Sequence, residues 1–114
     1  MMRDERTYLE DILEAIDAIE RFIEGLDYEG FCNDDKTVSA VLRKLEIIGG
    51  ASKKISEATK ANHPDIPWRA AAGMRDRLIH ACFEVEEEIV WATIHESLPS
   101  YGEKIRKMLI EKDT

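Results

Sequence analysis

"YLEDILEAIDAIERFI", residues 8–23, decides what kind of fold this chain can make. Leu9, Ile12, Ile16, Ile19, Ile23 and, just beyond the quoted stretch, Leu26 recur at spacings of three and four. Glu10, Asp17, Glu20 and Glu24 fill the other side. At 3.6 residues per turn this pattern is one apolar stripe on an amphipathic α-helix, expected over about residues 4–25. Gly25 and Gly30 mark its end and the loop that follows.

The same reading extends along the chain. "DYEGFCNDD", residues 27–35, reads as a connector with Tyr28 and Phe31 tucked beneath it. Asn33, Asp34 and Asp35 supply N-cap side chains for a second helix, expected from about 35 to 60. Val38, Val41, Leu42, Leu45, Ile48, Ile55 and Ala58 hold its period. Gly49 and Gly50 interrupt it, each costing a helix interior ~1 kcal/mol relative to alanine. Close packing against another helix, in this chain or across a dimer, would compensate; a local kink is the alternative. Pro64 and Pro67 keep the chain out of a helix until about Ile66, and Pro67 suits the first turn of a third helix reaching about residue 80. Val85, Ile89, Ala92 and Ile94 predict a fourth helix over about 84–96. Glu84, Glu86, Glu87 and Glu88 lie in its first turns, where the helix dipole favours them. Leu98 and Pro99 are expected to break it, before a last helix carrying Tyr101, Ile105, Met108 and Leu109. No segment sustains a period of two. The expected architecture is an all-α bundle of four to five helices.

With 114 residues, the chain suits one domain over 1–114. Apolar residues make up 44%, enough for a core; charged residues make up 35%, as solvated helix faces require. The net charge of −8 argues against broad, charge-driven binding to nucleic acid. It leaves room for an enzyme that cuts RNA at a small, locally basic cleft. Cys32 and Cys82 have no metal-ligand spacing and form no disulfide framework, which points to a reducing cytoplasm. "MMRDERTYLED" carries no apolar signal segment, and no apolar run reaches the ~18 residues of a membrane span. The expectation is a soluble, cytoplasmic protein.

Chemistry concentrates in "GMRDRLIHACFEVEEE", residues 73–88, where Arg75 precedes His80 by five positions. On an ideal helix, five residues span ~7.5 Å along the axis and ~140° around it. Arg75 and His80 therefore do not share a face, whereas Asp76 and His80 do. A joint role needs either a chain turn at His80 or a second copy of the motif facing the first. Without one, Arg75 pairs with a glutamate and His80 caps a helix end.

The surrounding blocks carry more information than the spacing. "AVLRKLEIIGGASKKI" (40–55), "PDIPWRAAAGMRDRLIHACFEVEEEIVWATI" (64–94) and "LPSYGEKIRKML" (98–109) resemble, in that order, the HepT-like branch of the HEPN superfamily. The resemblance runs from the opening helix to the last one. It implies a helical bundle that forms a homodimer and brings two R-x4-H motifs into one cleft. It also implies a metal-independent ribonuclease, the toxin half of a toxin–antitoxin pair whose partner is an MntA-type nucleotidyltransferase. The motif falls on Arg75 and His80, with Asp76 where the family favours a small polar residue.

That assignment is chemically sensible without a metal or cofactor, since RNA supplies its own 2′-hydroxyl nucleophile. A histidine can take or give a proton near neutral pH. An arginine can hold the phosphate and stabilise developing charge. The expected roles are His80 as general acid/base and Arg75 as phosphate and transition-state stabiliser. Asp76 would orient one of them, and Arg77 and Arg69 would add local positive charge. A non-catalytic helical module, binding a nucleotide or a partner through the same cleft, is the alternative.

Two positions depart from the family pattern. The family motif usually continues to R-x4-H-x-Y, and its tyrosine is the residue the antitoxin adenylylates; here that position is Cys82. Cys82 reads as a small buried hydrophobe or a thiol near cations. Gly50 stands where the family commonly has glutamate, which either removes a cleft carboxylate or relaxes packing. His63 reads as a solvated loop histidine and His95 as a partly exposed helix histidine. Trp68 and Trp91 read as core or interface anchors. The histidines lack zinc-site spacing, so no metal site is expected.

Overall fold

The computed structural model describes residues 4–74 and 85–112. Its elements are α1 (Glu5–Phe22), α2 (Tyr28–Cys32), α3 (Asp35–Lys53), α4 (Glu57–Asn62), α5 (Trp68–Ala72), α6 (Glu87–Ala92), a π-helical turn (Thr93–Ser97) and α7 (Leu98–Lys112). Among the described residues the fold is all-α, as the periodicity predicts. The long helices α1, α3 and α7 form the body: α1 packs against both α3 and α7, and α5 lies on α3.

Asp4 caps α1 by accepting the Arg6 N–H, and the chain leaves the helix through Gly25 at φ +80°, a conformation glycine reaches without strain. Leu9, Ile12, Ile16 and Ile19 are buried along the expected stripe. They meet Val41, Leu45 and Ile48 of α3, and Tyr101, Ile105 and Met108 of α7, in one apolar core.

The connector after α1 is itself helical. Asp27 accepts the Gly30 N–H at 2.8 Å and starts α2, a cap hidden inside what reads as loop sequence. Phe31 is fully buried, as expected. Tyr28 is not tucked away: it is 38% exposed.

The second helix does not run to residue 60. It ends at Lys53, and α4 restarts behind Ser56, whose hydroxyl oxygen accepts the Thr59 N–H. The Glu5 carboxylate accepts from the Ser56 N–H and from the Thr59 hydroxyl, both at 2.7 Å. A side chain from the start of α1 thus secures the break. Ile55, in the connection, is buried and Ala58 is exposed.

The two glycines of α3 have different roles, and the helix does not break at them. A Cβ on Gly49 would meet the backbone oxygens of Ala71 and Ala72 at 3.2 and 3.5 Å. That position lets α5 of the same chain sit close to α3. A Cβ on Gly50 would meet nothing within 4 Å. Gly50→Ala is therefore expected to raise stability by about 1 kcal/mol through helix propensity alone. Gly49→Leu is expected to lower it by about 1–3 kcal/mol through overpacking against fixed backbone. Urea midpoints at unchanged m-value check both.

Leu98 and Pro99 do not end the fourth helix. α6 and α7 are continuous through the π turn, in which the Leu98 N–H reaches back five residues to the Thr93 carbonyl. A proline ring clashes with the carbonyl four residues behind it in α geometry and has no N–H to donate. Widening the turn just before Pro99 accommodates the ring without stopping the helix. The helix also begins later than expected, at Glu87 behind an N-cap at Glu86. Its register differs too: Ile89 is 42% exposed, and the buried row is Val90, Ile94, Leu98, Tyr101, Ile105.

Tyr101 donates its hydroxyl proton to Ser52 Oγ at 2.6 Å, and Ser52 passes its own to the Ile48 carbonyl at 2.7 Å. Burial pushes the Tyr101 phenol up to about 12, against the opposing effect of the Ser52 hydrogen bond. The neutral phenol is favoured in the folded state, so stability is intact below the ordinary tyrosine value of 10. It falls as pH rises from 10 towards 12, because the unfolded chain deprotonates first. The loss is about 2–3 kcal/mol. Tyr101→Phe is expected to flatten that alkaline limb, at a cost near neutral pH of about 1 kcal/mol for the donor lost to Ser52. Thermal melts between pH 8 and 12 measure both effects.

Candidate functional site

The sequence places the candidate chemistry at Arg75, Asp76, Arg77, His80 and Cys82, all of which lie outside the described residues. What the structure describes is the frame that carries them. α5 and Gly73 lead into Met74, which is buried next to Arg75 in sequence. On the far side, Val85 and the N-terminus of α6 take up the chain.

The leading arm is fixed on several sides. The prolines shape a turn in which the Ile66 N–H bonds to the His63 carbonyl and the Trp68 N–H to Ile66 at 2.8 Å. Pro67 is the N-cap residue itself, one position earlier than the first helical turn. Trp68 is buried. Its indole N–H donates to the His63 carbonyl at 3.1 Å, and its ring stands edge-on to Tyr101 at 6.2 Å and 81°. Ala71 is buried against α3, where the bare Gly49 admits its carbonyl. Regular α5 closes at Gly73, whose N–H bonds to the Arg69 carbonyl, so the expected unbroken helix from about 66 to 80 is interrupted there. Short helices rarely hold themselves; this one is held by Trp68, Ala71 and Met74.

A groove of about 450 Å³ runs beside α5, lined by Glu57, Lys60, Pro64, Pro67, Trp68 and Arg69. Arg69 is exposed there. Lys60 is tied to Glu57 at 3.5 Å. Among the described residues no group of three or more histidine, cysteine or acidic side chains could hold a metal ion. No helix of the described residues is long and apolar enough to cross a membrane.

His63 closes α4 and is half-buried rather than fully solvated, its carbonyl serving Trp68. His95 is exposed, and its Nδ1–H donates to the Trp91 carbonyl at 3.0 Å. Gly50, one of the two departures from the family pattern, is exposed, and among the described residues nothing lies within 4 Å of where its Cβ would stand.

A feature the sequence did not flag lies on α6. Trp91, half-buried, rests on the fully buried Phe31 at 5.1 Å, meets Tyr28 at 6.1 Å and 62°, and is covered by the His95 ring at 4.3 Å. The order of aromatic residues in the sequence gives no signal for this cluster, because α2 and α6 are far apart along the chain.

A family model described as "Ribonuclease HepT-like" matches residues 12–108. "Probable ribonuclease HepT" of Thermococcus cleftensis is 50% identical over 95% of this chain and 98% of that protein. A "Putative RNase" of Caldanaerobacter subterraneus is 36% identical over 95% of this chain and 96% of its own. One of Methanocaldococcus jannaschii is 40% identical over 94% and 92%. No solved structure matches the chain. The family match runs from within α1 to within α7, with α5 and residues 75–80 between, and on that ground the chain belongs to the HepT-like ribonuclease family of the HEPN superfamily.

Proposed function

We propose that the protein is a metal-independent endoribonuclease whose reacting groups are Arg75 and His80. The observation that carries the reading is the family match across the motif, on a chain whose residues Trp68, Ala71 and Met74 are anchored in the core directly before Arg75. His80 serves as general acid/base to the 2′-hydroxyl and the leaving 5′-oxygen. Arg75 holds the scissile phosphate through its planar fork. Asp76 orients one of them, and Arg77 and Arg69 supply the local positive charge that the net −8 conceals.

In this reading the cleft is composite, as the family resemblance implies. Two copies of the chain contribute one motif each. The physiological partner in this reading is a nucleotidyltransferase antitoxin of the MntA type. Cys82 offers no phenol for adenylylation, so that partner neutralises the enzyme by binding, or by modifying another residue.

Incubating the purified protein with total RNA in excess EDTA tests the reading. The expected products end in a 2′,3′-cyclic phosphate, the mark of attack by the neighbouring hydroxyl. Intact RNA, or cleavage that needs an added divalent ion and leaves a 5′-phosphate, would overturn it. Light scattering at micromolar concentration checks the composite cleft, and a purely monomeric species would remove it.

A further inference from the structure

The Trp91 cluster is built like a receptor for positive charge. A depression of about 340 Å³ is lined by Tyr28, Glu88, Trp91, Ala92, His95 and Glu96. Phe31, fully buried, backs Trp91 and keeps the indole from sinking into the core. Tyr28 stands edge-on to the indole at 62° and His95 tilts over it at 47°, so aromatic surfaces border the depression from two helices. Glu88 and Glu96, both exposed, stand at its rim about two turns apart on one helix face. No ion pair within the described residues occupies either carboxylate. Ile89 adds exposed apolar surface one residue on from Glu88.

We propose that this depression binds a cationic side chain, a guanidinium or alkylammonium, presented by a basic segment of a partner protein. An aromatic face attracts a cation through its quadrupole, and a carboxylate pair supplies the countercharge. The chemistry selects against the other obvious occupant. A nucleic acid strand would bring phosphates towards Glu86, Glu87, Glu88 and Glu96 on a chain of net charge −8. A basic peptide meets charge complementarity instead. The depression is also held in shape: Trp91 rests on the buried Phe31, and the His95 ring is pinned to the Trp91 carbonyl at 3.0 Å. The π turn that accommodates Pro99 begins two residues after Trp91 and carries both His95 and Glu96. π turns recur at functional positions in helices.

The test is a titration of the full chain followed through the Trp91 indole N–H signal by NMR, with Trp68→Phe used to assign it. Arginine amide is the probe and citrulline amide, its uncharged isostere, the control. A saturable shift with arginine amide and none with citrulline amide is expected. Glu88→Gln with Glu96→Gln, both on exposed positions that leave the fold intact, is expected to weaken arginine binding at least about fivefold. Equal responses to the two amides would overturn the proposal and leave an apolar patch only. A stronger response to a nucleoside monophosphate would overturn it in favour of a base-stacking platform. A signal that moves with protein concentration and ignores arginine amide would overturn it in favour of contact with a second copy.

Discussion

Replacing His80 by alanine is expected to lower RNA cleavage by about 10²–10⁴-fold, the usual contribution of a positioned general acid/base. Arg75→Ala is expected to lose about 10²–10³-fold, comparable to removing one donor from a developing oxyanion. Arg75→Lys keeps the charge and loses the planar fork, so it should recover only part of that loss. If the cleft is composite, mixing the two inactive variants provides a further check. A heterodimer holding His80→Ala on one chain and Arg75→Ala on the other retains one arginine and one histidine. Whether they face each other across the interface decides if activity returns. Full cleavage by both folded single variants would end the assignment of these two residues.

Trp68→Ala is expected to cost about 3–5 kcal/mol, the range for removing a buried indole. This is the largest stability loss expected from a change near the motif. The side chain fills the space under α5, donates to the His63 carbonyl and abuts Tyr101, so truncation leaves a cavity and removes one of the two hydrogen bonds that the carbonyl accepts. Trp68→Phe keeps the apolar volume in large part and loses the indole N–H; it should cost appreciably less. Urea unfolding at constant m-value measures both. Cleavage measured at low temperature, where the alanine variant stays folded, separates the two roles of Trp68. If α5 positions Arg75, activity falls beyond the fraction unfolded. If Trp68 only stabilises the core, activity follows the folded fraction.

The helical class and most of the core were legible in the sequence because both depend on local period. Leu9, Ile12, Ile16, Ile19, Val41, Leu45 and Ile48 fall on stripes that neighbours three and four residues away define, and all are buried. The last-helix row of Tyr101, Ile105, Met108 and Leu109 was legible for the same reason, and Phe31 and Trp68 were legible as large aromatic side chains that favour burial. The candidate pair Arg75 and His80 was read from the motif and the order of the blocks around it, and it lies within residues 12–108, which the family model matches. Ile89 was misjudged because a short apolar run on a helix fits two registers, and only the packing of Val90 onto the core chooses between them.

The helix breaks were the least legible, since a break depends on partners elsewhere. Ser56 starts α4 with help from Glu5, some fifty residues away in sequence. Pro99 reads as a stop in isolation, yet the π turn before it lets the helix continue.

By itself, then, the sequence determined the helical class, the apolar stripes and the block order that places the chain in its family, because these are properties of neighbouring residues. Tertiary structure alone decided which of two adjacent glycines admits α5, where the chain turns between helices, and that Tyr28, Trp91 and His95 meet beneath two carboxylates. Those outcomes depend on surfaces brought together from distant parts of the chain, and no local period encodes where such surfaces meet.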